Sequence, residues 1–203
     1  MLVSFIYQVF IVCLSIISLP LQCFIALFLV LSSGLPIVFR QRRIGIDGKP
    51  FTLYKFRTMT STAEKLQSRY TKFNEADGPV FKIHDDPRFT PFGKFLSHTG
   101  LDELPQLWNV LRGDMALFGP RPLPVAEAKK FKTWQKARHA VKPGIISPWV
   151  FEGYHSRSFE EWMESDIIYV KEKSFKTDCI LLGKTIVFMG KLFIREVKDR
   201  VVS

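Results

Sequence analysis

No Asp, Glu, Lys, Arg or His occurs between Met1 and Phe39, and the first charge in the chain is Arg40. A stretch that long without charge is not the surface of a water-soluble domain, so it is expected to lie in a membrane. A basic n-region and a small-residue cleavage site are not evident, so the stretch is expected to stay on the chain instead of leaving as a signal peptide. Cysteine is scarce as well. Cys13, Cys23 and Cys179 form no C-x-x-C pair and two of them lie inside the apolar stretch, which argues against a disulfide framework and against a thiolate zinc site. A reducing, cytoplasmic location fits. The four histidines, His84, His98, His139 and His155, lack the close spacing of helix-borne metal ligands and are assigned no catalytic role. There is no internal repeat and no low-complexity linker.

What remains is 203 residues with 47% hydrophobic content, enough for one compact body beside the apolar stretch. Residues 1–39 read as the membrane segment and 40–203 as the globular domain. A formal charge of +10 favours an anionic partner, whether phosphate groups, acidic lipid headgroups or nucleic acid. Basic residues punctuate acidic ones and aromatic-basic RNA motifs are absent, so no nucleic-acid partner is expected.

The apolar segment reads as a helix stopped by Ser32-Ser33-Gly34 and Pro36 and broken at Pro20. A continuous helix of about 30 residues would rise roughly 45 Å, longer than the roughly 30 Å hydrocarbon core. Equally, Pro20 removes a backbone donor, and Ser18 can satisfy a freed carbonyl, so both ends can return to one face. These arguments leave a span and a re-entrant hairpin equally open. In both, Arg40, Arg42 and Arg43 belong on the cytoplasmic side against acidic lipid.

After a turn at Asp47-Gly48, the alternation from Phe51 to Thr58 predicts a strand, with Phe51, Leu53 and Lys55 on one face. Ser61-x-x-Glu64 and Ser158-x-x-Glu161 have the form of capping boxes, predicting helices toward Tyr70 and Lys171. Ser174 to Lys198 interleaves Ile180, Leu181, Ile186, Val187, Met189, Leu192 and Phe193 with lysines and an arginine. That basic amphipathic helix covers the core or lies in the membrane interface.

The densest chemistry runs from Leu101 to Pro122. Pro105 fits only the first turn of a helix, so the helix to Leu111 should begin close to Asp102 or Glu103. There the amide donors and helix dipole would keep Asp102 ionised and could hold a phosphate, although for the pair taken alone plain capping by an acidic residue is the stronger reading. Lys55, Arg57, Arg112 and Arg121 are expected to form a basic pocket facing the two carboxylates. A carboxylate nucleophile, a second carboxylate for a divalent metal and arginines on phosphate oxygens suit phosphoryl transfer. Pro120 and Pro122 should hold the Arg121 backbone rigidly.

Five motifs in order, Lys55-Phe56-Arg57-Thr58-Met59, Asp86-Pro87-Arg88, Leu101 to Met115, Gly119-Pro120-Arg121-Pro122 and Lys142-Pro143-Gly144-Ile145, resemble the bacterial sugar transferases. More narrowly, they resemble the monotopic polyprenol-phosphate phosphoglycosyl transferases. The resemblance implies an α+β fold: a small globular cytoplasmic domain with an N-terminal re-entrant membrane helix and interfacial amphipathic helices, on the cytoplasmic face of the bacterial inner membrane. It implies that Asp102 attacks the sugar-bearing phosphorus of a UDP-sugar, that Glu103 binds Mg2+, and that UMP leaves before polyprenol phosphate takes the sugar phosphate. It also implies that Arg88 joins the substrate-binding residues, that Pro120-Arg121-Pro122 lies at the nucleotide, that Asp166 is a site residue, and that Ser18 and Pro20 break the re-entrant helix. The oligomeric state, a homodimer included, is left open.

Ser97 stands where the family usually has arginine, Ala116 where it often has serine, and Ser147 to Tyr154 replaces a stretch that commonly carries Thr-Gly, glutamine and a Gly-Arg pair. Trp149, Phe151 and Tyr154 are either core aromatics or a sugar-stacking wall. Two other readings are set beside the enzyme: an impaired relative acting as a membrane scaffold, and a basic protein that binds the membrane surface without chemistry.

Overall fold

A computed structural model describes residues 2–149 and 158–202. The domain is mostly helical. Among the described residues the strands form two small two-stranded sheets, so the expected α+β class holds only in that limited sense. The N-terminal helix α1 spans Leu2–Ser33 and is long and apolar enough to cross a membrane.

The expected break at Pro20 does not interrupt the helical run, and polar side chains form bonds on the turns beside it. Ser15 Oγ donates to the Ile11 carbonyl at 2.7 Å, Ser18 Oγ to the Ser15 carbonyl at 3.0 Å, and Gln22 Nε2 to Ser18 Oγ at 3.0 Å. Ser18 thus serves the Ser15 carbonyl, one residue before the one that Pro20 deprives.

One stripe of α1 is covered. Ile11, Ile25 and Leu29 are buried, with Leu14, Ser15, Ser18, Gln22 and Ala26 partly so, a spacing of three and four that keeps them on one helical face. The opposite face exposes Phe10, Ile16, Ile17, Phe24, Leu27 and Leu31. Polar groups therefore lie on the covered side and apolar ones on the open side, the reverse of a helix facing water.

Strand β1 (Val38–Ile44) pairs antiparallel with β2 (Pro50–Phe56) across the turn at Asp47 and Gly48, both at positive φ. The predicted strand is thus found, ending at Phe56. The box at Ser61 does not form. The Ala63 N–H goes to the Thr60 carbonyl at 3.0 Å, Thr62 takes the cap position without a side-chain bond, and helix α2 is only Ala63–Leu66 before 3-10 turns from Gln67 to Phe73.

Helix α3 (Pro91–Thr99), a 3-10 turn at Leu101–Glu103 and helix α4 (Gln106–Leu111) follow. Strand β3 (Ala116–Phe118) pairs in parallel with β4 (Gly144–Ile146), and between them lie α5 (Val125–Ala128) and 3-10 turns from Thr133 to Ala140. Helix α6 (Phe159–Glu172) opens with the predicted box, Ser158 Oγ accepting from the Glu161 N–H and the Glu161 carboxylate from the Ser158 N–H. Helix α7 (Phe175–Val202) closes the described chain. It buries Leu181 yet exposes Phe175, Ile180, Ile186, Val187, Phe193 and Ile194, more apolar surface than a helix covering the core leaves to water.

Three buried clusters hold these elements. Ile11 of α1 packs with Phe51, Leu53, Val110, Met115 and Leu117, while Ile25 and Leu29 pack with Phe56 and Leu96. The third joins Val80, Leu123, Phe131, Trp149, Phe159, Trp162 and Met163. Trp149 is 1% exposed and stacks on Trp162 at 5.0 Å, so it is a core aromatic and not a sugar-stacking wall. Phe151 and Tyr154 lie outside the described residues.

Candidate active site

Strand β2 and the chain around α4 bring the site together. Asn109 of α4 is fully buried and behaves as an extra strand edge: its Nδ2 donates to the Thr52 carbonyl at 2.7 Å and its Oδ1 accepts from the Tyr54 N–H at 3.1 Å. One side chain thereby fixes Lys55 of β2 against the turn just before α4. Asn109→Leu leaves both strand groups unpaired and is expected to cost about 2–4 kcal/mol in urea unfolding. A loss under about 1 kcal/mol would show that this edge does not hold the site.

Asp102 sits in the 3-10 turn ahead of α4, not as the cap of a long helix. Gly100 makes the turn possible at φ 68°, and a Cβ there would meet the Met189 methyl of α7 at 2.8 Å. Asp102 is 4% exposed and its Oδ2 lies 3.6 Å from Lys55 Nζ. Burial pushes its carboxyl up to about 6, with Lys55 pulling down, Glu103 pushing up and Arg121 pulling down. Desolvation, not the helix amides, is the largest influence on this carboxyl, which at about 6 is still mostly ionised at neutral pH.

Glu103 is half-buried and its Oε1 accepts from Arg121 Nη2 at 2.8 Å. The turn carrying Arg121 is anchored at all three residues. Pro120 O accepts from the Gly144 N–H at 3.0 Å, Arg121 O from Arg138 Nη2 at 2.6 Å, and Pro122 O from Arg43 Nη1 at 2.8 Å. Gly144 itself passes so close to β3 that a Cβ would lie 2.1 Å from the Gly119 nitrogen. The predicted rigidity of Pro120-Arg121-Pro122 thus comes as much from these bonds as from the prolines.

Asp166 is fully buried on α6 and ion-paired to Arg138, whose guanidinium lies 5.2 Å from the Trp149 ring and 5.7 Å from the Phe131 ring. Burial pushes Arg138 down and Asp166 opposes it. Asp166 therefore reaches the Arg121 turn through Arg138.

The other expected phosphate ligands hold the protein itself. Arg57 donates from Nη2 to the carbonyls of Ser33 and Gly34, the latter at 2.8 Å, and so ties the end of α1 to the end of β2. Arg88 grips Asp86 through Nε at 2.9 Å and Nη2 at 2.6 Å and donates to the Ala63 carbonyl at 3.1 Å. Arg112 is exposed at the end of α4, 3.5 Å from Asp114.

Two residues of the assembly went unremarked in the sequence. Arg138 lies in an ordinary basic run, and no local signal marks it. Lys82, just ahead of Asp86-Pro87-Arg88, is half-buried; burial and Arg121 push its ammonium down to about 7, with Glu103 and Asp102 opposing.

Comparison with known proteins decides the family. The bacterial sugar transferase family model matches residues 2–191. The chain belongs to that family. It is 41% identical over 182 residues to the galactosyl transferase CpsE of Streptococcus agalactiae, covering 87% of this chain and 40% of that protein. It is 40% identical over 164 residues to the uncharacterized sugar transferase EpsL of Bacillus subtilis, covering 79% and 75%. It is 40% identical over 180 residues to the UDP-glucose:undecaprenyl-phosphate glucose-1-phosphate transferase of Escherichia coli, covering 84% and 36%. The chain thus spans well under half the length of CpsE and of the E. coli relative, and three quarters of EpsL.

Among the described residues, two places offer metal ligands. His84, Asp85 and His98 bring ligand atoms within 4.8 Å of one another and could hold an ion, with the two imidazoles stacked at 4.5 Å and Asp85 paired to Lys94 at 2.6 Å. Nitrogen-rich sets suit zinc or nickel better than magnesium. The carboxylates of Asp102 and Glu103 are hard oxygen donors, the chemistry that magnesium prefers.

Proposed function

We propose that the chain transfers a sugar 1-phosphate from a UDP-sugar to a polyprenol phosphate such as undecaprenyl phosphate, through a covalent phosphosugar intermediate on Asp102. The observation that carries this reading is the buried Asp102 carboxylate, held by Lys55 at 3.6 Å and followed by a Glu103 paired to Arg121. In a water-poor pocket a carboxylate is a competent nucleophile and is shielded from hydrolysing its own product.

The Asp102 oxygen attacks the sugar-bearing phosphorus, and the bridging phosphorus–oxygen bond breaks with its electron pair leaving on UMP. A phosphate oxygen of the polyprenol phosphate then attacks the same phosphorus, releasing Asp102 and the polyprenyl diphosphate sugar. Neither step needs a proton removed, since both nucleophiles are already anions. Lys55 holds Asp102 in place and balances its charge, and Arg121 binds phosphate oxygens from its fixed turn. Mg2+ held by Glu103 would neutralise charge on the diphosphate oxygens.

The anchor favours a monotopic placement on the cytoplasmic face. From Ile11 to Leu29, about 27 Å of helix, α1 stays against the globular body. Its N-terminal part is tied there too, Tyr7 accepting from the Leu117 N–H at 2.8 Å. A straight span of that length would drag β2, α4 and β3 into the hydrocarbon along with Lys55 and Asp102. A helix lying shallow in one leaflet, with its apolar open face toward lipid and α7 in the interface beside it, avoids this.

Release of UMP from a panel of UDP-sugars with magnesium tests the reaction: multiple turnovers are expected to require the lipid acceptor. Folded protein that releases no UMP from any donor would leave a membrane scaffold as the better reading. For topology, a Cys at position 2 in a cysteine-free background is expected to escape a membrane-impermeant label applied to intact cells. Labelling there would establish a spanning helix.

A further inference from the structure

Pro120, Arg121 and Pro122 are held at their carbonyls, and the three residues ahead of them are held as well. The Leu117 N–H donates to Tyr7 Oη at 2.8 Å, the Phe118 carbonyl accepts from Lys173 Nζ at 3.1 Å, and the Gly119 N–H donates to the Ile146 carbonyl at 3.1 Å. The peptide unit between Phe118 and Gly119 is thereby gripped at both its oxygen and its N–H. Peptide units are rigid, so the chain can turn only at the two dihedrals of each residue between them, and Pro120 fixes one of these. The plane of that one peptide therefore sets the direction in which the chain enters the Arg121 turn.

Its side-chain partners come from far along the chain. Tyr7 of α1 lies 110 residues before Leu117, and Lys173, the C-cap of α6, lies 55 residues after Phe118. Lys173 is itself placed by its surroundings. Its ammonium lies 5.4 Å from the buried Tyr169 ring, and the Tyr169 hydroxyl donates to Asp178 Oδ1 at 2.6 Å in the first turn of α7. Ser174 closes the corner between the two helices, its Oγ accepting from the Thr177 N–H at 3.2 Å and its carbonyl from the Asp178 N–H at 3.0 Å.

We infer that Lys173 and Tyr7 are positioning residues for Arg121: they hold the strand end that feeds its turn and so set the aim of its guanidinium. This rests on the proposed phosphoryl transfer, in which Arg121 binds phosphate oxygens. A guanidinium is a planar fork that has to be aimed at its phosphate, whereas an ammonium is a point charge on a flexible stem. A small rotation of the turn therefore costs an arginine at position 121 more than it would cost a lysine. That difference separates positioning from general support of the fold.

The test is a double-mutant cycle on UMP release by the full chain in lipid nanodiscs, with the UDP-sugar the parent accepts and at a temperature where every variant is shown to be folded. Lys173→Met is expected to lower kcat/KM for the UDP-sugar about tenfold, and Tyr7→Phe about threefold. Lys173→Arg, which can still donate to the Phe118 carbonyl, should stay within about threefold of the parent. In an Arg121→Lys background the Lys173→Met change should cost less than about twofold. Lys176→Met removes an exposed charge from the same corner and should change nothing. An equal factor lost in both backgrounds would make Lys173 a structural residue independent of Arg121 and overturn the inference. So would parent-level turnover in Lys173→Met, or an equal loss in Lys176→Met, which would assign the effect to charge against anionic lipid. A parent that releases no UMP from any UDP-sugar would defeat the transferase reading itself, and this inference with it.

Discussion

Asp102→Asn is expected to lower UMP release roughly 10⁴-fold or more while leaving the protein folded, because an amide has the same shape and no nucleophilic oxygen anion. Residual activity above about a hundredth of the parent would exclude Asp102 as the attacking group. The same substitution carries a stability signature in chelator-treated protein. The folded Asp102 carboxyl titrates near 6 against an ordinary 3.8, so the folded state holds its proton more tightly than the unfolded chain. Folding therefore disfavours the ionised carboxyl relative to the unfolded chain, although it remains mostly ionised at neutral pH. Below about pH 4 both states carry the proton, and the parent and Asp102→Asn should be about equally stable. As pH rises through 4 to 6 the parent loses up to about 3 kcal/mol relative to the variant, and the gap stays constant above that. A gap of opposite sign at neutral pH would mean that Lys55 more than compensates the burial.

Asp166→Ala is expected to be the most destabilising single change at the site, by about 3–5 kcal/mol in urea unfolding, because it leaves the Arg138 charge buried without its carboxylate. The effect should reach function through one bond. Arg138 also holds the Arg121 carbonyl at 2.6 Å, so UMP release should fall even in the fraction that remains folded. Replacing both members, Asp166→Leu with Arg138→Met, removes the uncompensated charge and should recover much of the stability without recovering turnover. Recovery of both would reduce the pair to packing. A loss below about 1 kcal/mol for Asp166→Ala would mean that water reaches Arg138 and that the pair does not anchor the turn.

These two residues mark the range of what the sequence discloses. Asp102 stands out because two carboxylates next to Pro105 are conspicuous in one dimension, but their setting is a buried 3-10 turn ahead of a six-residue helix, which the local pattern does not disclose. Asp166 came only from family resemblance, and its partner Arg138 lies 28 residues away with nothing in the intervening chain to pair them. The Ser158 box was readable because cap and helix are one local unit, whereas the same pattern at Ser61 fails where the Thr60 carbonyl takes the Ala63 N–H first. Arg57 and Arg88 looked like phosphate ligands by composition and motif, yet tertiary contacts give their guanidinium groups to the end of α1 and to Asp86. Ser18 is legible beside Pro20, but the polar stripe it forms with Ser15 and Gln22 is not. That this face turns to the protein and leaves the apolar one open needs the packing.

The most direct test of the central claim is the intact mass of purified protein after mixing with its UDP-sugar and magnesium in the absence of any lipid acceptor. The account predicts a mass increase of one sugar phosphate, released UMP stoichiometric with protein, peptide mapping of the adduct to Asp102, and loss of the adduct when polyprenol phosphate is added. UMP release that occurs only with the acceptor present, with no adduct at any time, would contradict it and establish direct transfer between the two substrates.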